Sequence, residues 1–194
     1  WLIDWLNPNN NAFAIAEEVL IKGENTKCPD IVLYVNGIAL GVVELKRSSV
    51  SASDGIRQNL DNQKKTFIRD FFSTMQLVMA GNNTEGLRYG TIETSEKHFY
   101  GWKEESPNYN RLVDEPSAKH LSVRDADYTD NILDLDICNL CQKERFLEII
   151  HNFIVFDSGI KKTCRQNQYF GVKASQPRLN SGEAAHFGVI RSPV

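Results

Sequence analysis

The amino-acid sequence predicts an α/β domain, a mixed central β-sheet with helices packed on its faces. Three observations carry this. Residues 31–35 and 38–46 are β runs apolar on both sides, as in covered central strands. Asn36-Gly37 between them is a strong hairpin signal, because both residue types tolerate positive φ. Helical periodicity follows in residues 51–71 and returns in 131–156.

Taken in order, residues 13–21 place Phe13, Ile15, Val19 and Ile21 on one parity, which favours a strand over a short helix. Residues 51–71 read as one helix capped by Ser53 or Asp54, with Ile56, Leu60, Phe67, Ile68 and Phe71 facing a core. Residues 76–80 form a short apolar strand ending at Gly81-Asn82-Asn83. Residues 87–92 and 98–102 are further strands. Residues 103–130, with Pro107 and Pro116, form a polar excursion. Ile132, Leu135, Leu140, Phe146, Ile149, Ile150 and Phe153 face a core, and Asp157-Ser158-Gly159 ends the pattern.

The 194 residues suffice for one domain and part of a second. With 41% hydrophobic and 24% charged residues, disordered and coiled-coil classes are excluded. No 18-residue apolar run exists, so no membrane helix is expected. The first residues lack a secretory signal, and the missing initiator Met suggests residues upstream. The net charge of -3 argues at first against nucleic acid. That charge is an average: from Asp157 onward six basic residues face Asp157 and Glu183 alone, so the preceding body is acidic. Cys28, Cys138, Cys141 and Cys164 form no dense framework, which points to a reducing, cytoplasmic compartment. Cys138-x-x-Cys141 lacks a second pair for zinc, so buried thiols are expected there. His98, His120, His151 and His186 are scattered and form no hydrolase triad.

The chemistry concentrates at Pro29-Asp30 and Glu44-Leu45-Lys46. Glu44 and Lys46 leave one face of a strand, at its end, where α/β sheets place their sites. A regular two-residue hairpin would set Asp30 opposite Val43, on the wrong face. A three-residue loop or one bulge sets it opposite Glu44, so such an irregularity is expected. Two carboxylates so close repel unless a cation lies between them, and hard oxygens suit Mg²⁺. The Leu45 carbonyl can add a ligand, and Lys46 can hold the attacking water or stabilise the phosphate. These roles describe a phosphodiester hydrolase. The plain alternative is a strand-edge ion pair, which the apolar flanks disfavour.

Residues 29–46 resemble the PD-(D/E)xK nuclease motif, in the wording of the N-terminal nuclease domain of type I restriction (R) subunits. Residues 75–82, Arg88-Tyr89-Gly90-Thr91, Trp102, Arg145-Phe146-Leu147 and residues 152–157 agree. The resemblance implies a restriction-endonuclease-like fold over 1–156, Asp30 and Glu44 as Mg²⁺ ligands and Lys46 as the catalytic lysine. It implies double-stranded DNA as substrate and methylation and specificity subunits as partners. Its Gln-x-x-x-Tyr element fits Gln58, but Asn62 stands where Tyr is expected; Gln63-x-x-x-Phe67 is a second register. An upstream acidic residue of one subtype finds no firm match in Glu17 or Glu18, which read as solvated. Lys64, Lys65 and Arg69 are candidate phosphate contacts. Arg165-Gln166-Asn167-Gln168-Tyr169-Phe170 resembles the entry to a superfamily 2 helicase motor. Gln168 is then the adenine reader, and 157–194 is a linker and truncated motor start. No Gly-x4-Gly-Lys-Ser/Thr loop is present, so ATP would serve only the full-length subunit. The rival readings are another PD-(D/E)xK branch, in repair or junction cleavage, and a non-catalytic docking module.

Overall fold

The computed structural model describes residues 2–104 and 131–180, the last four by backbone alone. A 3₁₀ turn at Pro8–Asn10 precedes six strands lying in one sheet in chain order. They are β1 (Phe13–Glu17), β2 (Ile31–Val35), β3 (Ile38–Leu45), β4 (Leu77–Asn82), β5 (Gly86–Gly90) and β6 (Tyr100–Gly101). Neighbours are antiparallel except β3 and β4, which are parallel. A parallel pair needs a crossover, and α1 (Ala52–Asn62) lies in it. Helices α2 (Ile132–Leu140) and α3 (Lys143–Asn152) follow, then a hairpin of β7 (Ile154–Asp157) and β8 (Ile160–Thr163), then α4 (Gln166–Asn180). This is the mixed sheet flanked by helices that the sequence predicts.

The β2–β3 hairpin turns on Asn36 and Gly37, with φ of 51° and 79°. Val35 pairs with Ile38 and Tyr34 with Ala39, but Leu33 pairs with Gly41. One residue of β3, Leu40, is therefore extra, and the expected bulge is present. Beyond it Ile31 pairs with Val43, so the register carries Asp30 to Glu44.

Alternation then sorts the sheet into two cores. Val32, Val42, Val78 and Ala80 face the α1 side, where Ile56 of α1 and Ile68 and Phe72 of the segment after it meet them. Val35, Val43, Leu77, Met79 and Tyr89 face the other way, onto Leu133, Leu140, Phe146 and Ile149 of α2 and α3. By parity Glu44 belongs with Val42, on the α1 face. Helix α1 approaches closely because Gly55 lies on the sheet; a Cβ there would stand 2.9 Å from Ala80 Cβ and 3.3 Å from the Glu44 carbonyl.

Several expected boundaries are corrected. Strand β1 ends at Glu17, since Glu18 has φ of 49° and Ile21 forms only a bridge to Lys27. Helix α1 ends at Asn62, not 71. Its cap is Ser51, whose side chain accepts from the Ser53 amide. Beyond it the chain turns on itself, with the Ile68 amide donating to the Asn62 carbonyl, and a 3₁₀ turn spans Arg69–Ser73. Phe67 and Phe71 are half-buried and Ile68 is buried from that turn rather than from a helix. The 131–156 pattern is two helices and a strand, because Ile154-Val155-Phe156 pairs across Ser158-Gly159 with β8. Of the polar excursion expected at 103–130, residues 105–130 lie outside the described residues. So do Trp1, His120, His186 and residues 181–194.

The β7–β8 hairpin is fastened to the sheet. Buried Lys161 donates to the Met75 carbonyl at 3.0 Å and to Gln76 Oε1, while its own carbonyl accepts from Thr91 Oγ1. Past the hairpin, Tyr89 donates to the Cys164 carbonyl at 2.8 Å, and Tyr169 packs edge-on against Trp102. Arg145 pairs with Glu104 at 2.8 Å over this aromatic cluster. Among the described residues no helix is long and apolar enough to cross a membrane.

Candidate active site

Asp30, Glu44, Lys46 and Gln58 come together at the carboxyl end of β3, on its α1 face. Glu44 is completely buried, and the Asp30 carboxyl lies within hydrogen-bonding reach of it. Asp30 is fixed by its Oδ2, which accepts from the Leu45 amide at 2.7 Å. Gln58 links the rest. Its Nε2 donates to Glu44 Oε2 at 2.7 Å, and its Oε1 accepts from Lys46 Nζ at 2.6 Å. The Lys46 amide in turn donates to the Gly81 carbonyl on β4.

Burial first, and Asp30 second, push the Glu44 carboxyl up to about 8; Lys46 pulls the other way without offsetting them. A divalent cation between the carboxyls would reverse that penalty. Among the described residues no three His, Cys, Asp or Glu side chains converge. Two carboxylates therefore leave the remaining positions to backbone carbonyl, water and substrate oxygens, a donor set that fits Mg²⁺ better than zinc.

Two buried asparagines of α1 add to this, Asn62 at the position where the resemblance leads one to expect Tyr. Asn62 is 1% exposed and points Nδ2 at Glu44 Oε1, 3.4 Å away, and its Oδ1 has no partner among the described residues. Asn59 donates to the Met79 carbonyl at 2.9 Å, and its Oδ1 is also unpartnered. The signal was present: Gln58 and Asn62 are four apart, on a helix whose neighbouring face is buried.

Other candidates lie elsewhere. Gln63 accepts from the Glu93 amide at 2.6 Å, so the Gln63-x-x-x-Phe67 register brings no amide to the carboxylates. Lys64 pairs with Asp61 and Arg69 with Glu93. Glu17 and Glu18 are exposed, although the Glu18 amide donates to the Asp30 carbonyl at 2.9 Å. Gln168 accepts from the Arg165 amide at 2.8 Å, closing the first turn of α4. His98 is exposed, and His151 stacks on Trp5. All four thiols are unpaired; burial holds Cys141, 3.9 Å from Met79 Sδ, up to about 12 and Cys164 up to about 11.

A mixed sheet with one parallel crossover at its centre, carrying two facing carboxylates at the crossover's mouth, defines a restriction-endonuclease-like α/β domain. The chain belongs to the family of type I restriction enzyme R protein N termini, whose model matches residues 1–97. It is 29% identical over 181 residues to the type I restriction enzyme HindI endonuclease subunit of Haemophilus influenzae, covering 88% of this chain and 16% of that protein. A Methanocaldococcus jannaschii protein provisionally named type I restriction enzyme MjaIXP endonuclease subunit is 27% identical over 186 residues, 91% of this chain and 17% of that one. The chain thus spans about one sixth of the length of the curated relatives it matches.

Proposed function

We propose that this chain is the nuclease domain of a type I restriction subunit and that it hydrolyses phosphodiester bonds of double-stranded DNA with Mg²⁺. The observation that carries the reading is the facing pair of Asp30 and Glu44, tied through Gln58 to Lys46. Asp30, Glu44 and the Leu45 carbonyl would hold the metal. When bound, the metal would acidify a water and neutralise charge on the phosphoryl group.

The protein's own groups account for the rest. Asp30 is held in place by the Leu45 amide, so its carboxyl is positioned before any ligand arrives. Gln58 donates to one oxygen of Glu44 and so fixes that carboxyl's rotation. Through its other end it holds the Lys46 ammonium beside the carboxyls without neutralising them. Lys46 then serves as a point charge for the water or the departing oxygen. The small net charge raises no objection, because phosphate is met through a cation. ATP, read by Gln168, is assigned only to a full-length subunit. Methylation and specificity subunits are the proposed partners, and the reducing cytoplasm is the compartment that four unpaired thiols suit.

The test is nicking of supercoiled plasmid by the intact subunit assembled with its partners. Glu44→Ala and Lys46→Ala are each expected to lower the Mg²⁺-dependent rate at least about a hundredfold with folding intact. Cleavage persisting in both overturns the reading.

A further inference from the structure

Two loops leave the site side by side. One, residues 21–27, runs up to Asp30; the other, residues 63–71, departs from Asn62. They are joined by one backbone and one side-chain hydrogen bond. The Glu24 amide donates to the Phe67 carbonyl at 3.2 Å, and Asn25 Nδ2 donates to the Thr66 carbonyl at 2.7 Å. Gly23 lies so close that a Cβ would stand 2.1 Å from the Phe67 carbonyl oxygen. Ile68 anchors the pair in the α1-side core.

This platform is basic in an acidic protein. It carries Lys22, Lys27, Lys64, Lys65 and Arg69 against Glu24 and Asp70. Arg69 and Lys64 are spent on Glu93 and Asp61. Among the described residues Lys22, Lys27 and Lys65 enter no ion pair. A groove of ≈ 480 Å³ runs along the platform between Lys22, Lys65 and Phe67. Lys27 lies against Phe67 of that groove and three residues before Asp30. Its Nζ lies 4.1 Å from the Phe67 ring centroid, its backbone is held by two hydrogen bonds to Ile21, and its charge reaches Glu44. A lysine propped on an aromatic face gives up little freedom when it accepts a phosphate.

We propose that this two-loop platform is the guide for the DNA backbone beside the site, with Lys27 contacting a phosphate next to the scissile one and Lys65 and Lys22 contacting phosphates further along. The guide rests on the nuclease reading and adds the path of the strand. It reads no bases, since ammonium groups reach phosphate without sequence information.

The test measures binding of a mixed-sequence 30-base-pair duplex by the intact subunit, in chelator so that nothing is cut, over a range of salt. Lys27→Gln and Lys65→Gln are each expected to weaken binding of all duplexes equally and to lower the salt slope by about 0.9. Lys27→Arg should restore the slope. Lys162→Gln, on the hairpin fastened at the opposite end of β4, should leave it unchanged. An unchanged slope in both Lys27→Gln and Lys65→Gln, with cleavage still dependent on Glu44, overturns the guide and leaves the nuclease reading standing. A lowered slope together with cleavage independent of Glu44 does the reverse. Weakening confined to some sequences overturns backbone guidance in favour of base readout.

Discussion

Two buried carboxyls sit on opposite sides of this sheet and have been buried on different terms. Asp136 of α2 is 6% exposed, and its Oδ2 accepts from the Leu87 amide at 2.9 Å. Gly86, at φ of 74°, makes room for it; a Cβ there would stand 2.3 Å from that oxygen. Burial raises Asp136 to about 6, opposed chiefly by the Leu87 amide. Glu44 is buried more deeply, accepts from no backbone amide among the described residues, and faces a second carboxyl. A carboxyl fastened to a fixed N–H joins helix to sheet. One facing its like, held by the side-chain amides of Gln58 and Asn62, is an ionisable group whose burial the fold alone does not reward. The difference separates framework from site without appeal to any motif.

The largest effects should cross over between the two. Asp136→Ala orphans the Leu87 amide and opens a cavity, and is expected to cost about 2–4 kcal/mol of stability. Glu44→Gln keeps shape and removes repulsion, so its denaturation midpoint should equal or exceed that of the parent while cleavage is lost. Urea titrations of the two variants beside plasmid nicking decide this. If Glu44→Gln unfolds as readily as Asp136→Ala, Glu44 is framework too.

Acidity sharpens the contrast by a smaller amount. Because folding raises the Asp136 carboxyl to about 6, the folded state holds its proton over a range where the unfolded chain has released it. The stabilising contribution is complete below about 3.8 and lost as pH rises through about 6. Compared with Asp136→Asn, the parent should therefore lose about 1–3 kcal/mol between pH 4 and pH 7. Parallel stability curves for the two proteins would remove Asp136 as the titrating group.

Much of this arrangement was legible in advance. The two central strands and the Asn36-Gly37 turn are local signals, and the bulge followed from parity once Asp30 and Glu44 were required to share a face. The end of α1 was not legible. Phe67, Ile68 and Phe71 continue a helical pattern, yet they reach the core from a turn held by the Asn62 carbonyl. Strand β7 was hidden for a related reason, since Phe153 runs directly into Ile154 and short apolar runs suit either structure. Lys27 was missed, and Asn62 was noticed only as a departure from an expected Tyr, because what gives them meaning, Phe67 and Glu44, lies far away in sequence.

Asn62 gives the finest test, because it belongs partly to each kind of burial. Its Nδ2 is 3.4 Å from Glu44 Oε1, a long contact, while its Oδ1 is buried with no partner among the described residues. An orphaned buried acceptor costs about 1–3 kcal/mol, so stability alone does not account for an amide here. With Gln58 on the other oxygen, Asn62 brackets the Glu44 carboxyl and holds its rotation, the service that outer partners give a metal ligand. Asn62→Leu keeps the branched outline with bulkier methyls and removes the orphan, so overpacking and the lost contact offset the relief and stability should stay within about 1 kcal/mol of the parent. The Mg²⁺ concentration for half-maximal cleavage should rise about tenfold with the maximal rate little changed. A lowered maximal rate at unchanged Mg²⁺ demand would instead put Asn62 among the groups that meet the phosphate, and Glu44 would then be held by Gln58 alone.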